Sequence, residues 1–154
     1  MSVRGLLALT VGLLLSACGA SSGGVVQAHN YIGYSYYGSE LSYAADKGGM
    51  PTAVVGNPFS ANKAEFDRAA TDAMYRKNRG IAVEFSTKID DPQRWLYRVV
   101  MYFYPPVNIS GTTACNPEAT LRSVPEKGNR LVQLAALCRG NKSLTEIRGQ
   151  RYAA

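Results

Sequence analysis

The side chains in this 154-residue chain with the widest chemical reach are one histidine, a pair of adjacent aspartates and three cysteines. His29 is the only histidine. A Ser–His or Cys–His mechanism needs the imidazole fixed against its nucleophile, and His29 closes a stretch of small residues that offers nothing to fix it. It reads as a solvated linker residue. Asp90 and Asp91 could do acid–base work if their environments differed and their carboxyls straddled a bond. Placed before Pro92, they read instead as a chain-bending turn. No glycine-rich phosphate loop, metalloprotease helix or nucleophile elbow is present. The chain therefore nominates no catalytic residue, no metal ligand set and no cofactor.

Aromatic residues make a different candidate. Tyr31, Tyr34, Tyr36, Tyr37 and Tyr43 are half of the tyrosines and crowd one short stretch beside Gly33 and Gly38. Aromatic faces that carry hydroxyls stack on sugars or enter protein interfaces with little loss of entropy. These five form the candidate interaction surface. The alternative is an edge strand or loop packed on a sheet.

The cysteines separate by what surrounds them. Met1–Arg4 carries one positive charge, and Gly5–Leu15 is apolar except for Thr10. A helix needs ~20 apolar residues to cross a bilayer, so this run is too short for a stable anchor and reads as a cleavable secretory signal. Its end, Leu15-Ser16-Ala17-Cys18, resembles the bacterial lipobox, and on that resemblance the N-terminus is identified as that of a bacterial lipoprotein precursor. The resemblance covers residues 1–18. It implies acylation of the Cys18 thiol, cleavage after Ala17 and N-acylation of the new terminus, so that the membrane becomes a partner through more than one acyl chain, as lasting anchorage requires. Gly19 follows in place of the aspartate that retains many lipoproteins in the inner membrane, so the resemblance implies a periplasm-facing protein sorted to the outer membrane.

Gly19–Ala28 is mostly Gly, Ser and Ala with two valines, a composition that buries little and is expected of a flexible tether. Ten such residues have a root-mean-square reach of about 17 Å. The expected organisation is a signal peptide over residues 1–17, a lipidated tether over 18–30 and one globular domain over 31–154. With Cys18 consumed by lipid, Cys115 and Cys138 remain as a single pair in an oxidising compartment and are expected to form a disulfide. A zinc site would need further ligands, and a redox pair usually shows Cys-x-x-Cys spacing.

Charge narrows the partners. The chain has 17 basic and 11 acidic residues, and loss of Arg4 leaves a mature net charge of about +5, scattered along the sequence. That balance fits weak attraction to lipid headgroups, lipopolysaccharide or cell-wall polymers. No nucleic-acid motif appears, and an exported address argues against such a partner.

The elements that must position these residues follow from periodicity and punctuation. Gly38–Gly49 reads as a short helix closed by glycines. Pro51–Val55 reads as a strand, and Gly56-Asn57-Pro58 as the turn after it. Asn62 with Glu65 resembles a capping box, and Phe66, Ala69, Ala70, Ala73 and Met74 repeat at helical spacing, predicting a long helix over 63–77 whose alanine-rich face packs on a sheet. Ile81–Phe85 alternates as a strand would. Trp95–Tyr104 is dense in Tyr, Val and Phe, apolar on both faces and stopped by Pro105-Pro106, which predicts a central strand. Asn108–Asn129 reads as an irregular excursion stapled back by Cys115. Arg130–Arg139 and Lys142–Gly149 flank Gly140-Asn141 as a β-hairpin, with Leu137 expected opposite Leu144 and Cys138 opposite Ser143.

The sum is an α+β fold, an antiparallel sheet of three to five strands with one long and one short helix in two layers. The Tyr-rich segment, the strand and the Gly56–Phe59 turn are similar to those of small proteobacterial envelope lipoproteins, a resemblance that implies no activity. Two functions are expected from this: a binding or structural module that contacts an envelope protein or cell-wall polymer, or a cell-wall glycan hydrolase whose carboxylates the sequence does not pair. The lipobox makes the first prediction. Radiolabelled palmitate should enter the protein in cells, and Cys18→Ala should abolish the labelling; label retained in that variant would refute the anchor.

Overall fold

The computed structural model describes residues 27–32, 38–45, 48–59, 62–77, 82–124 and 130–152. Cys18, the signal peptide, and Tyr34, Tyr36 and Tyr37 lie outside these. In chain order the elements are β1 (Gln27–Ile32), α1 (Gly38–Ala45), β2 (Met50–Val55), α2 (Lys63–Met74), β3 (Phe85–Ser86), β4 (Tyr97–Phe103), α3 (Gly111–Cys115), β5 (Arg130–Arg139) and β6 (Lys142–Tyr152).

The sheet runs β1-β6-β5-β4-β2-β3. It has five strands of 6 to 11 residues and a two-residue β3. The α+β class holds, and most pairings are antiparallel. β2, however, pairs parallel with both β4 and β3. Parallel neighbours need a crossover connection rather than a hairpin, and α2 lies on the connection between β2 and β3. Periodicity along one segment carries no such information about direction.

β4 sits centrally, as its two apolar faces require. Met101 and Phe103 pack on one side with Phe66 and Ala70 of α2. Val100 and Tyr102 pack on the other with Ala114, Cys115, Leu134, Ala136 and Cys138. The first face thus takes the helical layer, and the excursion after β4 covers the second. Within α2 the buried residues are Phe66, Ala70 and Thr71, whereas Ala69 and Ala73 are exposed. The packing face is therefore narrower than the alanine pattern predicts. Asn62 caps the helix by accepting the Ala64 N–H at 2.9 Å, which satisfies one of the unpaired first-turn donors.

Other boundaries move for identifiable reasons. Of the strand expected at Ile81–Phe85, Ile81 lies outside the described residues and only Phe85 is in a strand, Phe85–Ser86, while Val83, 1% exposed, turns into the core beside Met50, Leu137 and Leu144. Trp95 and Leu96 leave the expected strand for a 3-10 turn over Pro92–Leu96, which Asp91 caps by accepting the Gln93 N–H at 2.9 Å. In the hairpin, Cys138 faces Ser143 as expected, but a bulge places Leu137 opposite Thr145 rather than Leu144. One extra residue in β6 lets Leu144 reach 1% exposure in the core. β1 takes in Gln27–Asn30, which corrects the tether boundary, since these residues pair with β6 through Gln27↔Gln150 to Asn30↔Ile147.

The excursion is held down by polar contacts from β6 as well as by covalent chemistry. Arg148 donates to the carbonyls of Ile109 at 2.6 Å and Val107 at 3.2 Å. Glu146 accepts the Gly111 N–H at 2.7 Å, at the start of α3. A Cβ at Gly111 would collide with Glu146 and Ser143, so only glycine lets the chain approach this closely. Further along, the Tyr102 hydroxyl donates to the Arg122 carbonyl at 2.7 Å. Cys115 and Cys138 are disulfide-bonded and both 0% exposed. The bond closes a loop of 23 residues in sequence separation, for which chain entropy gives about 3 kcal/mol. Replacing both cysteines by alanine should lower unfolding stability by roughly that amount in denaturant titrations, and addition of reductant should leave that variant unchanged.

Candidate interaction surface

α1 carries its apolar residues at helical spacing: Leu41, Ala44 and Ala45 pack toward the Met50–Leu144 cluster. Tyr43 is left outside, 63% exposed. Its ring nonetheless has a partner. Tyr97, the first residue of β4, meets it edge to face with centroids 5.9 Å apart and planes at 69°, the arrangement that aligns a ring edge with a π face. Tyr97 lies opposite Arg139 in the β4–β5 ladder.

Arg139 ties the sheet to the helix. Its Nη1 donates to Glu40 Oε1 at 2.7 Å across 99 positions of sequence, and the side-chain exposures are 40% for Arg139 and 10% for Glu40. The second carboxylate oxygen, Oε2, is buried without a close hydrogen bond. The Tyr97 hydroxyl reaches toward this carboxylate, and that attraction, with burial second, raises its proton affinity above the ordinary tyrosine range. Arg139 is in turn held protonated more firmly, first by Tyr97 and then by the Glu40 charge. Leu96, 55% exposed, completes the patch beside the hairpin turn, where the Gly140 N–H donates to the Leu96 carbonyl at 2.7 Å. The result is an oriented aromatic and aliphatic surface around a half-exposed arginine paired with Glu40.

The sequence candidates disperse around it. Tyr43 is on the surface, and Tyr31 lies in β1 opposite Glu146. His29 stands in the same strand opposite Arg148, not on a tether. Asp90 and Asp91 are exposed, and Asp91 is engaged as a cap. Asp72 and Glu84 share an open cleft of about 360 Å³ with Tyr75; both are exposed, without the unlike environments that divide an acid from a base. Among the described residues no three of His, Cys, Asp and Glu gather as a metal cluster, and no helix is long and apolar enough to cross a membrane. Glu40, Leu96, Tyr97 and Arg139 escape sequence reading, because their meeting depends on strand order. The only local signal is Arg139 beside the Gly140-Asn141 turn.

No family profile, curated protein or solved structure matches the chain.

Two tyrosines with raised proton affinity, Tyr97 in the surface and Tyr102 in the core, give the fold a pH signature. Tyr97 is raised first by Glu40, and Tyr102 by burial. Each therefore stabilises the fold fully below the unfolded value of about 10 and loses that contribution as pH rises through the higher folded value. The unfolding midpoint should fall as pH rises above about 10, and Tyr97→Phe should flatten part of the slope; an unchanged slope would remove Tyr97 from the linkage.

Proposed function

We propose that this protein is a lipid-anchored envelope lipoprotein, acylated at Cys18 and facing the periplasm. Its folded domain is a binding or structural module for another envelope component, a protein or a cell-wall polymer. The lipobox-like Leu15–Cys18 supports the anchor. The observation that carries the binding role is that Tyr43 is 63% exposed and yet oriented, by the Tyr97 ring and the Glu40–Arg139 pair beneath it. An exposed ring already fixed in place loses little entropy when it is covered, and Arg139 adds a cation suited to an anionic or hydroxylated partner.

Use of the described acids favours binding over glycan hydrolysis. Glu40 and Glu146 are committed to structural partners, and Asp67 to Lys63, while Glu65, Asp72, Glu84, Asp90, Asp91 and Glu118 lie exposed on α2, turns and loops.

Cross-linking in intact envelopes, with identification of what is captured, tests this reading. Tyr43→Ala should reduce capture of the partner roughly tenfold, as loss of an aromatic anchor typically does. Its unfolding stability should change by less than about 1 kcal/mol, because the ring is mostly exposed. Capture unchanged in a folded Tyr43→Ala protein would dismiss this surface.

A further inference from the structure

On the face of the sheet that α2 covers, the helix reaches β4 and the edge of β5 but goes no further. Leu131 belongs to the cluster of Phe66, Ala70, Met101 and Phe103. Beyond it the sheet opens into a hollow of about 380 Å³ lined by Leu131, Gln133, Ala135, Ile147, Gly149 and Arg151, among others. The cause is local. Gly149, which has no side chain, lies opposite Gln133, and Ala135 lies opposite Ile147, so the floor is low between taller walls. Ile147 remains 43% exposed, and Arg151 is an exposed cation at the rim.

We propose that this hollow is a docking face for an anionic lipid surface. The proposal rests on the anchor at Cys18, and the path of the chain supports it. Gln27 pairs with Gln150, so the chain from Cys18 enters the sheet beside Arg151. Cys18 precedes Gln27 by nine residues, and even a fully extended chain of that length covers only about 30 Å. An acylated Cys18 therefore keeps this end of β6 near the headgroups, at a high effective concentration. Under that condition an apolar hollow with a basic rim is complementary to an anionic bilayer, the cation meeting phosphate and the aliphatic walls meeting the interfacial zone.

The experiment uses the mature acylated protein in vesicles of phosphatidylethanolamine and phosphatidylglycerol whose acyl chains are brominated. A tryptophan introduced as Ile147→Trp reports contact, with Trp95, which donates to the Ile89 carbonyl, as internal reference. The expected result is that the added emission is quenched in these vesicles, at least threefold less in phosphatidylcholine, and at least threefold less again with Arg151→Glu. Protein that floats with anionic vesicles while the added emission stays unquenched overturns the docking face and leaves the anchor standing. Absence of acyl mass on Cys18 together with failure to float overturns the anchor and the docking face with it. Shielding of the Ile147→Trp emission in detergent that grows with protein concentration assigns the face to a second copy and also overturns the proposal.

Discussion

β4 must be covered twice, and that requirement governs the rest of the molecule. Val100 and Tyr102 on one face and Met101 and Phe103 on the other are each at most 6% exposed. A strand buried on both sides cannot lie at the edge of a single layer. α2 supplies one cover as part of the connection from β2 to β3. The other cover has almost no regular structure, so it cannot be held by its own apolar stripe alone. It is held by the Cys115–Cys138 bond, by Arg148 and Glu146 reaching across from β6, and by the Tyr102 hydroxyl on the Arg122 carbonyl. Arg98 joins the same face, donating to the Trp95 and Cys115 carbonyls; burial lowers its proton affinity from the ordinary arginine range. Backbone carbonyls that would otherwise face the core without partners are thereby satisfied.

Sequence reading succeeded where the determining information is local. β4, α2 and the hairpin are legible because side-chain period, a cap and a turn pair each lie within a dozen residues. The same locality explains what was missed. The parallel placement of β2 depends on which neighbour β4 accepts, and no periodicity encodes a neighbour. The bulge between Leu137 and Cys138 shifts the register by one residue as Leu144 goes into the core. From sequence, a two-residue turn gives no reason to expect the extra residue. Val83 alternates like a strand residue and is buried as a core plug. β1 is rich in polar residues and resembles a continuation of the tether, yet the open edge of β6 gives its backbone a ladder to join.

The candidate surface shows the same division. Tyr43 could be named from aromatic density alone, because exposure of one residue on a short amphipathic helix is a local property. Tyr97 reads from sequence as a core strand residue, and Glu40 and Arg139 as ordinary helix and turn charges. Their meeting is a product of topology: α1 and the end of β5 are far apart in sequence and are brought together by the placement of β4 beside β5. The partly buried Glu40 carboxylate makes the contact directional, since an isolated carboxylate in that position would be costly and the Arg139 cation offsets its desolvation. Breaking the pair would free the helix as well as the side chain, and the orientation of Tyr43 would be lost with it.

Distances along the hairpin connect the two proposed surfaces. Gln150, opposite the first residue of β1, and Lys142, beside the turn, lie eight residues apart on β6. At the usual rise of an extended strand that is about 26 Å. The end of the sheet that receives the chain from Cys18 is therefore not the end that carries Tyr43, Leu96 and Arg139. The hollow lies on the face of the sheet that also carries α1, since Leu131, Gln133, Ala135 and Leu137 alternate onto one face of β5 and Leu137 packs with Leu41, Ala44 and Ala45, so the two surfaces are separated along the strands and not by the sheet. The disulfide lies on the same hairpin, joining Cys138 near the turn to the excursion that covers β4. On the proposed reading, the chain from the anchor and the aromatic surface therefore belong to opposite ends of a single pair of strands.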